Sequence, residues 1–283
     1  MTTPVSAPLP RPSSPADAPL LAGLAEAALA AGVAIRRIER EGIQAHQKSD
    51  LSPVTAADGA AEAIICAALE RLAPGVPVVA EEATSAGASV ACGPRFFLVD
   101  PLDGTREFIS GNGEYTVNIA LVENGAPVLG VVYAPAREIL YAGRPGGAFR
   151  AARAPGAAVD ADGWTSITCR PLPDGPLAVA ASRSHGDPAT DALVARYRVA
   201  EYTPAGSALK FGLLAEGRVD FYPRLGTVME WDTAAGHALV AAAGGRLTRP
   251  DGSPLTYGHA DQGFKVRGFL AWGAGTPPTP AGA

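Results

Sequence analysis

Apolar residues recur at spacings of three and four along Leu21, Leu24, Ala28, Ala31, Ile35 and Ile38. That period predicts an amphipathic helix entering near Asp17 to Pro19 and stopping at Gly42. A second helix is predicted from Val54-Thr55-Ala56-Ala57-Asp58 to Leu72, closed by Pro74-Gly75, with Thr55 and Asp58 at capping-box spacing. The pattern then changes to short apolar runs, which read as buried strands: Val76 to Ala80 and Phe96 to Val99. Each run delivers acids, Glu81-Glu82 after the first and Asp100 after the second. Tyr115 to Val122 and Val128 to Ala134 are predicted strands joined across Asn124-Gly125, a hairpin signal. Ile139 to Ala142 and Ala148 to Ala151 extend the meander, so the first half reads as helices on a largely antiparallel sheet.

Residues 152–176 are rich in Pro, Gly and Asp and read as a lobe boundary with one strand near Ile167. Beyond it the elements alternate. Strands are predicted at Leu177 to Ala181, Val219 to Tyr222, Arg246 to Thr248 and Val266 to Ala271. Helices are predicted at Asp187 to Tyr197, at Gly206 to Glu216 closed by Gly217, and from Trp231-Asp232 to Ala243. Such alternation implies a layered α/β lobe. The expected organisation is an α/β protein with an α+β lobe over 20–170 and an α/β lobe over 171–272. A leader (1–19) and a tail (273–283), both rich in small residues and proline, read as disordered.

A hydrophobic content of 47% allows a sizeable core. The formal net charge is −5 and no basic run stands out, which argues against nucleic-acid binding. An anionic substrate would need a local positive centre, and metal ions would supply one. Cys66, Cys92 and Cys169 lack CxxC spacing and read as free thiols of a reducing cytosol. No apolar run is expected to reach the roughly 18 residues that span a bilayer, and the N-terminus lacks a signal-peptide pattern. The sequence sets no oligomeric state.

The candidate chemistry centres on Asp100-Pro101-Leu102-Asp103-Gly104-Thr105, where a central strand should emerge into a loop. Pro101 stiffens the turn and Gly104 permits close backbone approach. Two carboxylates about 4 Å apart at an effective dielectric near 20 cost roughly 4 kcal/mol, which implies a cation. Oxygen donors point to magnesium or calcium rather than zinc. Taken alone, Asp58 reads as a helix cap, Glu81-Glu82 as a solvated turn and Asp232 as a first-turn acid. Ser182-Arg183-Ser184-His185 at a strand end and Gly206-Ser207-Ala208-Leu209-Lys210 at a helix start suit an anion. GxxxxGK[ST], HExxH and GxSxG are all absent.

Together, Glu81-Glu82, Asp100 to Thr105 and Trp231-Asp232-Thr233-Ala234-Ala235-Gly236 resemble the signature of the inositol monophosphatase superfamily, magnesium-dependent and lithium-sensitive phosphatases. Ser52 to Asp58, Arg106-Glu107-Phe108, Ser182 to His185, Leu209-Lys210-Phe211 and Tyr222-Pro223-Arg224 are similar to its bacterial CysQ branch, the 3′(2′),5′-bisphosphate nucleotidases. The resemblance covers about residues 20 to 270 and implies the layered αβαβα sandwich of that superfamily. It makes Glu81, Asp100, Asp103, Asp232 and the Leu102 carbonyl the ligands of two or three Mg²⁺. It makes Asp58 and Thr105 the pair that polarises the attacking water, with Asp103 among the catalytic residues. Substrate contacts would come from Glu81, Leu102, Asp103, Gly104, Thr105, Ser182, His185, Gly206, Ser207, Lys210 and Asp232. Arg106 departs from the branch's usual lysine, and Gly226 to Glu230 from its usual loop, which bears on substrate choice. The implied reaction is hydrolysis of adenosine 3′,5′-bisphosphate to AMP and phosphate, extending to 3′-phosphoadenylyl sulfate, in sulfate assimilation. The implied location is cytoplasmic, at most peripheral at the inner membrane. The rivals are an inositol or histidinol phosphate phosphatase and, in a different class, a non-catalytic nucleotide-binding protein.

Overall fold

A computed structural model of the chain describes residues 18–42, 45–47, 53–89, 91–183 and 186–280. Helix α1 (Pro19–Glu41) starts on a proline and ends at Gly42, whose φ of +105° only glycine adopts easily. An antiparallel pair, β1 (Ala45–Gln47) and β2 (Pro53–Thr55), precedes α2 (Ala56–Leu72). Next come β3 (Val78–Ala80), the one-turn helix α3 (Glu81–Ser85), β4 (Arg95–Asp103) and the one-turn helix α4 (Thr105–Ile109). The meander follows as β5 (Thr116–Glu123), β6 (Ala126–Ala134), β7 (Ile139–Arg144), β8 (Gly147–Ala152) and β9 (Trp164–Ile167). Asn124 and Gly125, both at positive φ, form the two-residue β5–β6 turn that the Asn-Gly pair predicts. β3 to β9 form one seven-stranded sheet in sequence order, antiparallel except for the parallel β3–β4 pair.

The second half supplies β10 (Leu177–Ser182), α5 (Pro188–Val194), β11 (Val199–Ala205), α6 (Leu209–Ala215), β12 (Phe221–Arg224), β13 (Val228–Met229), α7 (Glu230–Ala242), β14 (Arg246–Thr248), β15 (Lys265–Val266) and β16 (Phe269–Trp272). Five of these strands form a mixed sheet in the order β11-β10-β12-β16-β14, while β13 pairs with β15.

The layers follow from which side chains alternate inward. On β5, Val117, Ile119 and Leu121 pack with α1 and α2, while Ala120 and Val122 face α7. α6 and α7 fill the space between the two sheets, and α5 covers the outer face of the smaller one through Val194. The result is the helix–sheet–helix–sheet–helix sandwich. Glycines set its central spacing. A Cβ on Gly130 would lie 2.3 Å from the Ala235 carbonyl oxygen, and one on Gly143 would lie 2.6 Å from Leu239 Cα. α7 can therefore sit directly on the large sheet, and Asp232 is carried in with it.

Several expectations need correction. α1 is long and apolar enough to cross a membrane, contrary to the sequence reading, but most of its apolar 18-residue stretch is buried, with α1 packed on α2 and the sheet. β11 was not expected: its residues alternate poorly, and parallel pairing with β10 overrides that pattern. α6 begins at Leu209, leaving Gly206 to Ala208 as a turn. The acids at 100 and 103 belong to an irregular extension of β4, with a register break between them, rather than to a free loop. At the start of the stretch read as a tail, Ala274 bridges to Pro171. The bulk of the leader and the last three residues lie outside the described residues.

Candidate active site

Three polypeptide segments converge beside the end of β4. β3 runs parallel to β4, so Glu81, which opens α3, emerges beside Asp100. Asp232, in the first turn of α7, arrives from the opposite layer. One carboxylate oxygen from each of Glu81, Asp100 and Asp232 lies within 4.8 Å of the others. Asp100 is 1% exposed, and its Oδ1 accepts from the Leu102 N–H at 3.0 Å. Asp232 Oδ2 accepts from the Met229 N–H at 2.8 Å. Asp103 stands beside the triplet, with Asn118 Nδ2 donating to its Oδ2 at 3.4 Å.

Burial sets the electrostatics first and like charge adds to it. Burial, then Glu81, Asp103 and Asp232, hold the Asp100 carboxyl well above the usual carboxylate range. Burial, then Asp103 and Glu81, push Asp232 up to about 8. Asp103 is raised by burial, although Lys210, Ser207 and Asn118 oppose the shift. Such a cluster resists full ionisation unless positive charge is supplied.

Asp58 serves two partners. Its Oδ2 accepts from the Thr55 N–H (2.7 Å) and hydroxyl (2.8 Å), completing the capping box of α2. Its Oδ1 lies 3.4 Å from Thr105 Oγ1, which is also 3.4 Å from the Leu102 carbonyl oxygen. The helix cap and the contact to the acidic loop thus coexist in one side chain. Gly104, at φ +87°, makes the left-handed turn that starts α4 at Thr105.

Glu81, Asp103 and Asp232 line a cavity of about 300 Å³ together with Ser182, Ser207, Lys210, Tyr222 and Arg224. Thr227, Val228 and Met229 complete its wall. Lys210 is 2% exposed, and its Nζ donates to the carbonyls of Ser207 (2.7 Å) and Ala205 (3.1 Å). Burial lowers its pKa to about 8 against the opposing pull of Asp103. Those bonds hold Ser207 at φ +50°, an uncommon backbone for a serine, and its hydroxyl meets that of Thr116 at 2.5 Å. The Gly206 N–H donates to Glu114 Oε2 at 2.8 Å, and a Cβ at Gly206 would come within 2.7 Å of the Glu114 carbonyl oxygen. His185 lies outside the described residues.

Sequence reasoning assigned no role to Arg224 or Glu114. Arg224 ends β12 and, like Ser182, lines both this cavity and a second one of about 340 Å³. Glu114 is buried, which raises its carboxyl, but Arg183, the Gly206 N–H and Arg137 outweigh that and bring it below the usual range. A charged residue at the end of a Phe-Tyr-Pro-Arg strand was the available signal for Arg224. Glu114 gave none, because its partners are distant in sequence.

A family model for the inositol monophosphatase family matches residues 17–266. The 3′(2′),5′-bisphosphate nucleotidase CysQ of Escherichia coli K12 is 43% identical over 223 residues, covering 77% of this chain and 87% of that protein. The nucleotidase of the same name from Buchnera aphidicola is 37% identical over 81% of this chain and 83% of its own. Among solved structures, CysQ from Bacteroides thetaiotaomicron superposes with a TM-score of 0.76 at 34% identity, covering 90% of this chain and 97% of its own. An inositol monophosphatase from Anabaena gives 0.69 at 27% identity, covering 90% of each chain.

Proposed function

The chain belongs to the inositol monophosphatase family, and from that premise we propose that it is a magnesium-dependent 3′(2′),5′-bisphosphate nucleotidase. It hydrolyses adenosine 3′,5′-bisphosphate to AMP and phosphate, acts likewise on 3′-phosphoadenylyl sulfate, and serves sulfate assimilation. The convergence of Glu81, Asp100 and Asp232 carries the reading. Their donors are all hard oxygens, and the raised carboxyls of Asp100 and Asp232 match a site designed around cations. Glu81, Asp100, Asp103, Asp232 and the Leu102 carbonyl would hold two or three Mg²⁺. When bound, magnesium supplies Lewis acidity toward the phosphate ester.

The chain's own groups do the rest. Thr105 orients the attacking water, and Asp58, facing the threonine hydroxyl through Oδ1, accepts its proton. Water adds to phosphorus in line, the bond to the ribose 3′-oxygen breaks, and that oxygen takes a proton from solvent. Lys210, Arg224, Ser182 and Ser207 line the same cavity as Glu81, Asp103 and Asp232 and offer the second phosphate its donors. An inositol monophosphate has no second phosphate to use them, which favours the nucleotide. We place the enzyme in the cytoplasm: its three cysteines are unpaired, and α1 is packed inside the fold.

The test is phosphate release from a panel containing adenosine 3′,5′-bisphosphate, 3′-phosphoadenylyl sulfate, myo-inositol 1-phosphate and histidinol phosphate, with Mg²⁺, without it, and with added Li⁺. The expected result is Mg²⁺-dependent, Li⁺-inhibited release that favours the bisphosphate. Preference for inositol or histidinol phosphate would transfer the assignment to that rival.

A further inference from the structure

Glu81 is the first residue of α3, and the sequence gives that helix little means of holding itself. α3 has five residues, too few to be stable alone. Its N-cap position is Ala80, which has no side-chain acceptor, so the first N–H groups of the helix lack the usual local partner. Glu62, on the neighbouring helix α2, provides one. Its Oε2 accepts from the Glu82 N–H at 2.7 Å and its Oε1 from the Ala83 N–H at 2.9 Å. Both side-chain oxygens of Glu62, a residue only 9% exposed, are thereby spent on backbone donors.

Glu62 lies one helical turn after Asp58, so the two carboxylates share one face of α2. Asp58 reaches Thr105, while Glu62 fixes the backbone beside Glu81. A single helix face therefore sets both the water-polarising pair and the α3 arm of the acidic triplet.

We propose that Glu62 is a positioning residue for the metal site: it caps α3 from outside and so holds the Glu81 carboxylate beside Asp100 and Asp232. This rests on the reading of Glu81 as a metal ligand. Removing the carboxylate frees two N–H groups and lets the short helix shift or fray. Glu81 then contributes less to metal affinity, while the substrate-binding end of the cavity, built from β10, α6 and β12, is untouched.

The test is direct Mn²⁺ binding, followed by the EPR signal of the free ion, in the wild type and in Glu62→Ala, Glu62→Gln, Glu81→Gln and Ile65→Val. Glu62→Ala is expected to weaken Mn²⁺ binding roughly tenfold, as loss of a partner that orients a ligand commonly does. Glu62→Gln, which keeps one acceptor, should fall between. The Mg²⁺ concentration giving half-maximal hydrolysis should rise in parallel, with substrate KM at saturating Mg²⁺ unchanged within about twofold. Ile65→Val, a core change on the same helix, should lower the melting temperature without moving Mn²⁺ affinity. Wild-type Mn²⁺ affinity in Glu62→Ala would overturn the proposal. So would an equal loss of affinity in Ile65→Val, since general loosening of α2 would then suffice. If Glu62→Ala does not fold, wild-type affinity in Glu62→Gln overturns it instead. Unchanged Mn²⁺ binding in Glu81→Gln would mark a different failure, that of the ligand reading itself.

Discussion

Asp58 offers a separation of fold from chemistry within one side chain. Its Oδ2 holds the Thr55 N–H and hydroxyl, and its Oδ1 faces Thr105. In Asp58→Asn the amide oxygen can still take the cap bonds, so the stability cost should stay below about 1 kcal/mol. Asp58→Ala removes the N3 half of the capping box, leaving the Thr55 hydroxyl on the Ala57 N–H but the buried Thr55 donors without their acceptor, a loss of about 1–2 kcal/mol. At roughly 2–4 °C per kcal/mol for a chain of this size, the alanine variant should melt about 2–8 °C lower. Neither variant can accept a proton through Thr105, so both should lose about 10²–10⁴ in kcat. Thermal unfolding by circular dichroism and initial rates of phosphate release on the same preparations would read both quantities. Retention of more than about a tenth of the wild-type rate in Asp58→Asn would refute the proton-acceptor role. Equal melting temperatures in the two variants would refute the capping role.

Three further outcomes follow from particular contacts. Burial lowers the pKa of His237 to about 4. The unfolded chain therefore binds a proton that the native state refuses between about pH 6.5 and 4, and stability should fall with pH across that window by up to about 3 kcal/mol. Urea unfolding at pH 7 and 4.5 should show a smaller loss in His237→Gln; an identical loss would place the effect elsewhere. Gly130→Ala should force α7 off the sheet, at about 1–3 kcal/mol, and raise the Mg²⁺ requirement because Asp232 moves with the helix. Gly175→Ala, with no atom near the added carbon, should leave both properties unchanged, and an unperturbed Gly130→Ala would contradict the close-packing argument. Lys210→Met should reduce the preference for adenosine 3′,5′-bisphosphate over adenosine 3′-monophosphate at least about tenfold, measured as a ratio of kcat/KM, and an unchanged ratio would remove Lys210 from second-phosphate recognition.

The periodic parts of the fold were legible because one physical signal dominated each. α1 and α2 carry apolar residues at helical spacing with their stops on Gly42 and Pro74-Gly75, and the β5–β6 turn carries Asn-Gly. β11 was invisible because its order comes from pairing with β10, not from its own alternation. The acids at 81, 100 and 232 were legible as a set through their motifs. Their mutual approach depends on the parallel β3–β4 pairing and on glycines beneath α7, neither of which a local pattern reports. Asp58 was ambiguous in sequence because a cap and a site residue look alike there; in the structure one of its oxygens takes the cap bonds and the other faces Thr105. Glu62, Glu114 and Arg224 escaped because their contacts are to backbone or to residues far along the chain.

Metal occupancy and turnover, measured together, test the acidic site most directly. Calorimetric Mg²⁺ titration and hydrolysis of adenosine 3′,5′-bisphosphate should be followed on the same metal-stripped samples of wild type and Asp232→Asn. In the wild type, hydrolysis should be absent without the ion and should rise with its binding. In Asp232→Asn, binding should weaken and turnover should fall with it, while the fold is retained. Full hydrolysis by the stripped wild type, or undiminished binding and turnover in the variant, would contradict the claim that these acids form one catalytic cation site.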